Sequence, residues 1–126
     1  AAFIFIFITV LLDMVAIGYT GPATAPTALV LAFPGDVDGE GQRRTAGATT
    51  VLTKAAARLV SPLLRPTGAT FDRTLVWGSR STSTVTVIEP LVVEVSADAS
   101  AETGVLRHAA RLQRVRPDLD VADLDE

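Results

Sequence analysis

At 126 residues, 48% hydrophobic and 20% charged, the chain is one small domain's worth of foldable sequence and does not have a disordered composition. The absence of cysteine excludes disulfides and thiolate metal sites, and a single histidine, His108, excludes a cluster of imidazole ligands, which leaves only carboxylate-held metals. The net charge of −3 argues against a simple basic nucleic-acid binder, but the charge is segregated along the chain. Residues 1–42 carry four acids and no base, whereas 43–80 carry seven bases against Asp72 alone. Residues 81–100 add three acids, 101–116 hold four arginines against Glu102, and 117–126 hold five acids. Two basic blocks separated by acidic strands can form one positive face.

The chain opens on the apolar run Ala1 to Leu12. It is too short to span a membrane, which takes about 20 residues, and Asp13 interrupts it. Its Phe and Ile alternation predicts a strand buried on both faces, or the remnant of an upstream segment; a membrane anchor is the alternative, and no stable membrane partner is expected. Residues 13–118 form the predicted domain and 119–126 an acidic tail. Asp13 to Thr20 reads as a strand ended by Gly21-Pro22, and Thr27 to Phe33 as a second, closed by Pro34-Gly35. Asp36 to Gly41 is a turn. Its Asp-x-Asp start suggests a calcium loop, but the twelfth position is Gly47 where a bidentate glutamate is required, so no metal site is expected. Gln42 to Thr49 reads as a third strand.

Thr53 to Leu64 is the one convincing helix, with Thr53 as its cap, three alanines for propensity and Pro62 limiting its length. Pro66-Thr67-Gly68 ends that region. Thr74–Trp77, Thr84–Ile88 and Leu91–Val95 then alternate as strands, with Glu89-Pro90 marking a kink or bulge. Three strands, a helix and further strands predict an all-β fold: a small five-stranded OB-fold Greek-key barrel with one helix between the third and fourth strands.

The closing segment, Val105 to Asp118, alternates like a strand and carries four arginines. Leu106, His108, Ala110 and Leu112 share one face, while Arg107, Arg111 and Gln113 share the other. Guanidinium groups held on a strand suit phosphate, whose geometry their planar forks match. An edge strand with solvated arginines, and Arg116 with Asp118 as a local surface pair, are the plainer alternatives.

From about Met14 onward the chain resembles the C-terminal OB domain of bacterial ATP-dependent DNA ligases. The likeness runs through Ala16-Ile17-Gly18-Tyr19-Thr20-Gly21 and Ala28 to Leu31, then Gly41 to Gly47, the helix Leu52 to Ala57, and Trp77-Gly78-Ser79-Arg80. It is strongest in Glu89-Pro90-Leu91-Val92-Val93-Glu94-Val95, followed by Leu106-Arg107-His108 and Arg114-Val115-Arg116-Pro117-Asp118. The resemblance implies a cytoplasmic protein of DNA repair, recombination or replication whose OB domain closes over the nucleotide and then clamps nicked double-stranded DNA. It implies that Arg114, Arg116 and Asp118 belong to the motif that meets the β- and γ-phosphates during adenylation. ATP and Mg2+ would belong to the parent enzyme, and none would be held by this chain alone. The partner would be an adenylation domain in cis or in trans, since no Lys-x-Asp-Gly occurs and the only lysine, Lys54, lies on the helix. The sequence departs from the family at Leu119, where a lysine is common, at Ala109, where proline commonly follows Arg-His, and in lacking basic residues before the first strand.

Contacts to DNA phosphates are assigned to Arg43, Arg44, Lys54, Arg58, Arg80, Arg107 and Arg111, which give affinity and register without reading sequence. Trp77 can stack on a base or fill the core, and His108 is expected to be structural. No Gly-x-Ser-x-Gly, Walker loop or Cys/His dyad supports separate hydrolase or NTPase chemistry. Two alternatives remain: a non-catalytic OB module for single-stranded nucleic acid or a protein partner, and a membrane-tethered β-domain.

Overall fold

The computed structural model describes residues 9–40, 42–77, 79–98 and 109–124, with Trp77 and Arg80 described by backbone alone. The readings made for residues 1–8 and for Leu106, Arg107 and His108 lie outside the described residues. The elements are β1 (Thr9–Thr20), β2 (Ala28–Ala32), β3 (Gly47–Ala48), α1 (Lys54–Val60), a 3-10 turn (Ser61–Leu63), β4 (Pro66–Trp77), β5 (Ser79–Asp98), β6 (Arg111–Val115) and α2 (Val121–Leu124). Neighbouring strands run in the order β3-β2-β1-β5-β4, and β6 also pairs with β5. All these pairings are antiparallel. The fold is therefore mostly antiparallel and all-β, with its main helix between β3 and β4. One isolated parallel bridge, Thr49 to Ala110, links the end of β3 to the residue that leads into β6. Its backbone hydrogen bonds are Thr50 N–H to Ala110 C=O at 2.8 Å and Ala110 N–H to Ala48 C=O at 3.0 Å.

β5 is long because it serves two neighbours along one edge. Its first half pairs with β4 up to Ile88, and its second half pairs with β6 from Val93 to Ser96, while β1 lies along the other edge. Between the halves the register slips: Ala16 faces Leu91, yet Gly18 faces Val87. The extra residues on β5 include Glu89-Pro90, so the proline sits in an irregularity where its missing N–H breaks no regular ladder. The slip also changes which residues point inward, from Leu91, Val93, Val95 and Ala97 on one side of it to Ile88 on the other. Gly18 is required here. A Cβ at this position would lie 2.6 Å from Val85 Cγ1 and 2.9 Å from the Thr86 carbonyl oxygen.

Two apolar clusters follow. The larger joins Met14, Ala16 and Tyr19 of β1 to Leu29, Leu31, Val93 and Val95, with Val60 of α1 and Leu64 below it packed against the same surface. The smaller, on the opposite face, joins Val15, Ile17, Val30, Ala32 and Val85, with Phe71 and Val121 packed against it. β1 and β2 are thus buried on both faces, the pattern of central strands. α1 starts as its sequence predicts, with the Thr53 hydroxyl accepting the Ala56 N–H at 3.1 Å. Below it the Ser61 hydroxyl donates to the Ala23 carbonyl at 2.7 Å, tying the helix end to the β1–β2 loop.

Three sequence expectations need correction. The segments 84–88 and 91–95 are one continuous strand, because Glu89-Pro90 is absorbed as a bulge. Pro66-Thr67-Gly68 does not end a region but begins β4, with Gly68 at φ +95° in the irregular stretch between the Pro66–Ile88 and Thr70–Thr86 pairs. The third strand shrinks from 42–49 to Gly47–Ala48, because Arg43 pairs back onto Val37 across the preceding turn instead of onto β2. The sheet accordingly has six strands where five were expected.

Candidate functional site

The strand register builds a transverse row of charge. Asp13 on β1 stands directly opposite Glu94 on β5, and Glu94 stands directly opposite Arg114 on β6. Uninterrupted alternation past Leu112 would turn Arg114 inward. A register shift prevents this: Val95 faces Leu112 but Glu94 faces Arg114, so Gln113 is extra. The bulge keeps Leu112 and Val115 against the core and leaves Arg114 outside, where Nη2 lies 3.2 Å from Glu94 Oε2.

Arg116 follows directly. Its backbone N–H donates to the Val92 carbonyl at 2.8 Å, which carries the β5–β6 pairing one residue past the strand. Its guanidinium donates twice to Asp118, Nε to Oδ1 at 3.0 Å and Nη2 to Oδ2 at 2.9 Å. The remaining Nη1 lies 3.5 Å from Glu94 Oε2 and 4.0 Å from Asp13 Oδ1. The Arg116 side chain is only 21% exposed, against 60% for Arg114. The hydrogen bonds from Arg116 lower the Asp118 carboxyl below its ordinary range, and Asp118 correspondingly raises the Arg116 guanidinium. Three carboxylates surround two guanidinium groups, a local excess of negative charge. Asp13 Oδ1 is buried and accepts no hydrogen bond.

A second group of basic residues lies elsewhere. Lys54 and Arg58, one turn apart on α1, line a groove of about 420 Å³ together with Val51, Leu52 and Thr27. Arg111 lines an adjoining groove of about 400 Å³ with Thr50 and Thr53, and the two grooves share Val51 and Leu52. Val51 between them is 74% exposed. Among the described residues, Lys54, Arg58 and Arg111 make no ion pair. The second pair of predicted contacts sits at a different turn: Arg44 Nη2 is 3.1 Å from Asp36 Oδ2, and Arg43 is half-buried beside it. Asp38 in that turn accepts the N–H groups of Glu40 at 2.8 Å and Gln42 at 2.9 Å, which gives this carboxylate a structural task. Arg80 is placed on β5 by its backbone, and Arg107 lies outside the described residues.

The described arginines of the closing segment, Arg111, Arg114 and Arg116, are therefore divided. Arg114 and Arg116 are ion-paired, whereas Arg111 lines the groove beside α1 and makes no ion pair among the described residues. The sequence reading missed Asp13 and Glu94. The available signal was a lone acid in each of two apolar runs, Leu11-Leu12-Asp13-Met14-Val15 and Val92-Val93-Glu94-Val95, which asks for a cationic partner. Among the described residues no helix is long and apolar enough to cross a membrane. Comparison with protein-family models, with curated proteins and with solved structures finds no match to this chain.

Proposed function

We propose that this chain is the C-terminal OB-type region of an ATP-dependent DNA ligase, a cytoplasmic DNA-repair or replication enzyme. In this role it clamps nicked duplex DNA and assists nucleotidyl transfer, and does not ligate alone. The observation that carries the proposal is the route of the last strand. β6 lies antiparallel to β5 and reaches the end of β3 through the parallel Thr49–Ala110 bridge, after a β1–β2–β3 meander and a helix. That connectivity supports an OB-type reading, in which the β4 half of the long hairpin is an added edge strand. β6 then delivers Arg114, Arg116 and Asp118 at its end, where the family resemblance puts its phosphate-facing motif.

Nucleotidyl transfer asks a protein mainly to position phosphates and neutralise their charge, which fixed guanidinium groups can do. On this reading Lys54, Arg58 and Arg111, which make no ion pair among the described residues, hold the DNA backbone, with Arg43, Arg44, Arg80 and Arg107 as further contacts. ATP and Mg2+ are handled with the adenylation domain, which supplies the nucleophilic lysine. Fluorescence anisotropy with a labelled nicked duplex tests the proposal: weak binding that falls steeply with added salt is expected. Absence of binding at low salt, or affinity indifferent to salt, overturns it. Tighter binding to single strands would favour a non-catalytic single-strand module instead. Addition of a separate ligase adenylation domain should restore some nick sealing, with Arg116→Ala depressing self-adenylation more than sealing of pre-adenylated DNA.

A further inference from the structure

We propose that Asp13 and Glu94 are positioning residues for Arg116: a two-carboxylate seat that holds its guanidinium parked beside β5, so that Arg116 engages a polyphosphate only by leaving that seat. The inference rests on the reading of Arg116 as a phosphate-facing residue. It is carried by the register. Two like charges directly opposite on neighbouring strands repel each other, and Asp13 and Glu94 are such a pair. The Nη1 of Arg116 is within ion-pair distance of both, at 4.0 Å and 3.5 Å. Among the described residues Arg114 reaches Glu94 but is not paired with Asp13, so there Arg116 is the cation that joins the two acids.

The geometry of the seat is asymmetric. Asp118 takes two hydrogen bonds and lies two residues away on the same chain segment, so it can travel with Arg116. Glu94 and Asp13 are fixed on β5 and β1 and offer only the longer contacts to Nη1. Asp13 Oδ1 meanwhile remains without a hydrogen bond despite its burial. The contacts most readily given up are thus those to the sheet. Until they are given up, the Nη1 edge of Arg116 is turned to the two sheet carboxylates, and an incoming polyphosphate meets their repulsion. Neutralising either sheet carboxylate should ease the release of Arg116 without touching its fork.

The test uses the whole chain at low salt, with inorganic tripolyphosphate as the probe. Binding is followed by calorimetry and by the 15N-resolved Nε–Hε signal of Arg116. The wild-type chain should bind weakly, Arg116→Ala should abolish binding, and Glu94→Gln and Asp13→Asn should each tighten it about two- to fivefold, the range expected for one partly exposed pair. The Arg116 Nε–Hε signal should shift with probe in step with the affinity. If Arg116→Ala abolishes binding while both carboxamide variants leave it unchanged or weaker, the seat is overturned and the phosphate-facing reading stands. If Arg116→Ala leaves binding unchanged, or if neither the wild type nor the variants bind, the phosphate-facing reading falls and the seat falls with it. Asp13→Asn provides the measurement independently should Glu94→Gln fail to fold.

Discussion

Asp13 and Glu94 are cross-strand neighbours of the same charge, and the guanidinium of Arg116, from beyond the end of a third strand, joins them. Paired acids in this position destabilise a sheet unless a cation is supplied, and here the supply comes from Arg116, about a hundred positions after Asp13 and about twenty after Glu94. The ion cluster is thus a product of tertiary register and not of any local motif.

Gly18 is predicted to be intolerant of a side chain. In Gly18→Val the first added atom already meets Val85 Cγ1 at 2.6 Å and the Thr86 carbonyl at 2.9 Å, so the bulge must open. A loss of about 1–3 kcal/mol in denaturant unfolding is expected. Gly39→Ala, with no atom within 4 Å of the new Cβ, should stay within about 0.5 kcal/mol of wild type.

Thr49 is the one buried polar residue of the described core, 4% exposed, and its hydroxyl accepts the Leu29 N–H at 3.0 Å. Thr49→Val preserves shape but strands that donor. It should cost about 1–3 kcal/mol, and hydrogen exchange of the Leu29 amide should accelerate.

Asp118 titrates below its ordinary carboxylate value because Arg116 hydrogen-bonds to its charged form. A depressed folded value means stability that is fully present above the ordinary range and is lost as pH falls through the lowered value. Thermal melts between neutral and strongly acidic pH should show this acid limb in the wild type and a shallower one in Asp118→Asn. A 13C titration of the Asp118 carboxyl should show the downward displacement directly.

For duplex binding, Lys54→Ala, Arg58→Ala and Arg111→Ala should each weaken affinity for any sequence and lower the slope of log affinity against log salt by about one. Arg114→Ala should do less, because its charge is already met by Glu94 at 3.2 Å. Anisotropy titrations over a salt series measure both quantities.

Much of the fold was legible where the code is local. Thr53 and the alanines announced α1, and alternation with β-branched residues announced β1, β2 and the second half of β5. Pro66 and Gly68 misled because prolines and glycines mark breaks in sequence, whereas here β4 absorbs them in an irregular stretch; Glu89-Pro90, read as a kink or bulge, is a bulge within β5. The third strand was overlong because Arg43 and Arg44 serve the Asp36 turn, a preference fixed by a nearby partner. For the site, Arg114, Arg116 and Asp118 were singled out only through what the family resemblance implies. Asp13 and Glu94 could not be joined to them, since a strand's register against a distant partner is set by the whole sheet.

The central place of β5 has a consequence for synthesis. Val10 pairs with Ala97, and Met14 with Val93, so β1 gains its main neighbour only after most of the chain has been made. Until then Met14 to Ile17 and Leu29 to Leu31 present apolar surface on both faces of an unfinished ribbon. Such non-local closure makes folding slow and leaves the nascent chain exposed to self-association, so a holdase that shields the β1–β2 ribbon should raise the yield of native protein more than one acting after release from the ribosome.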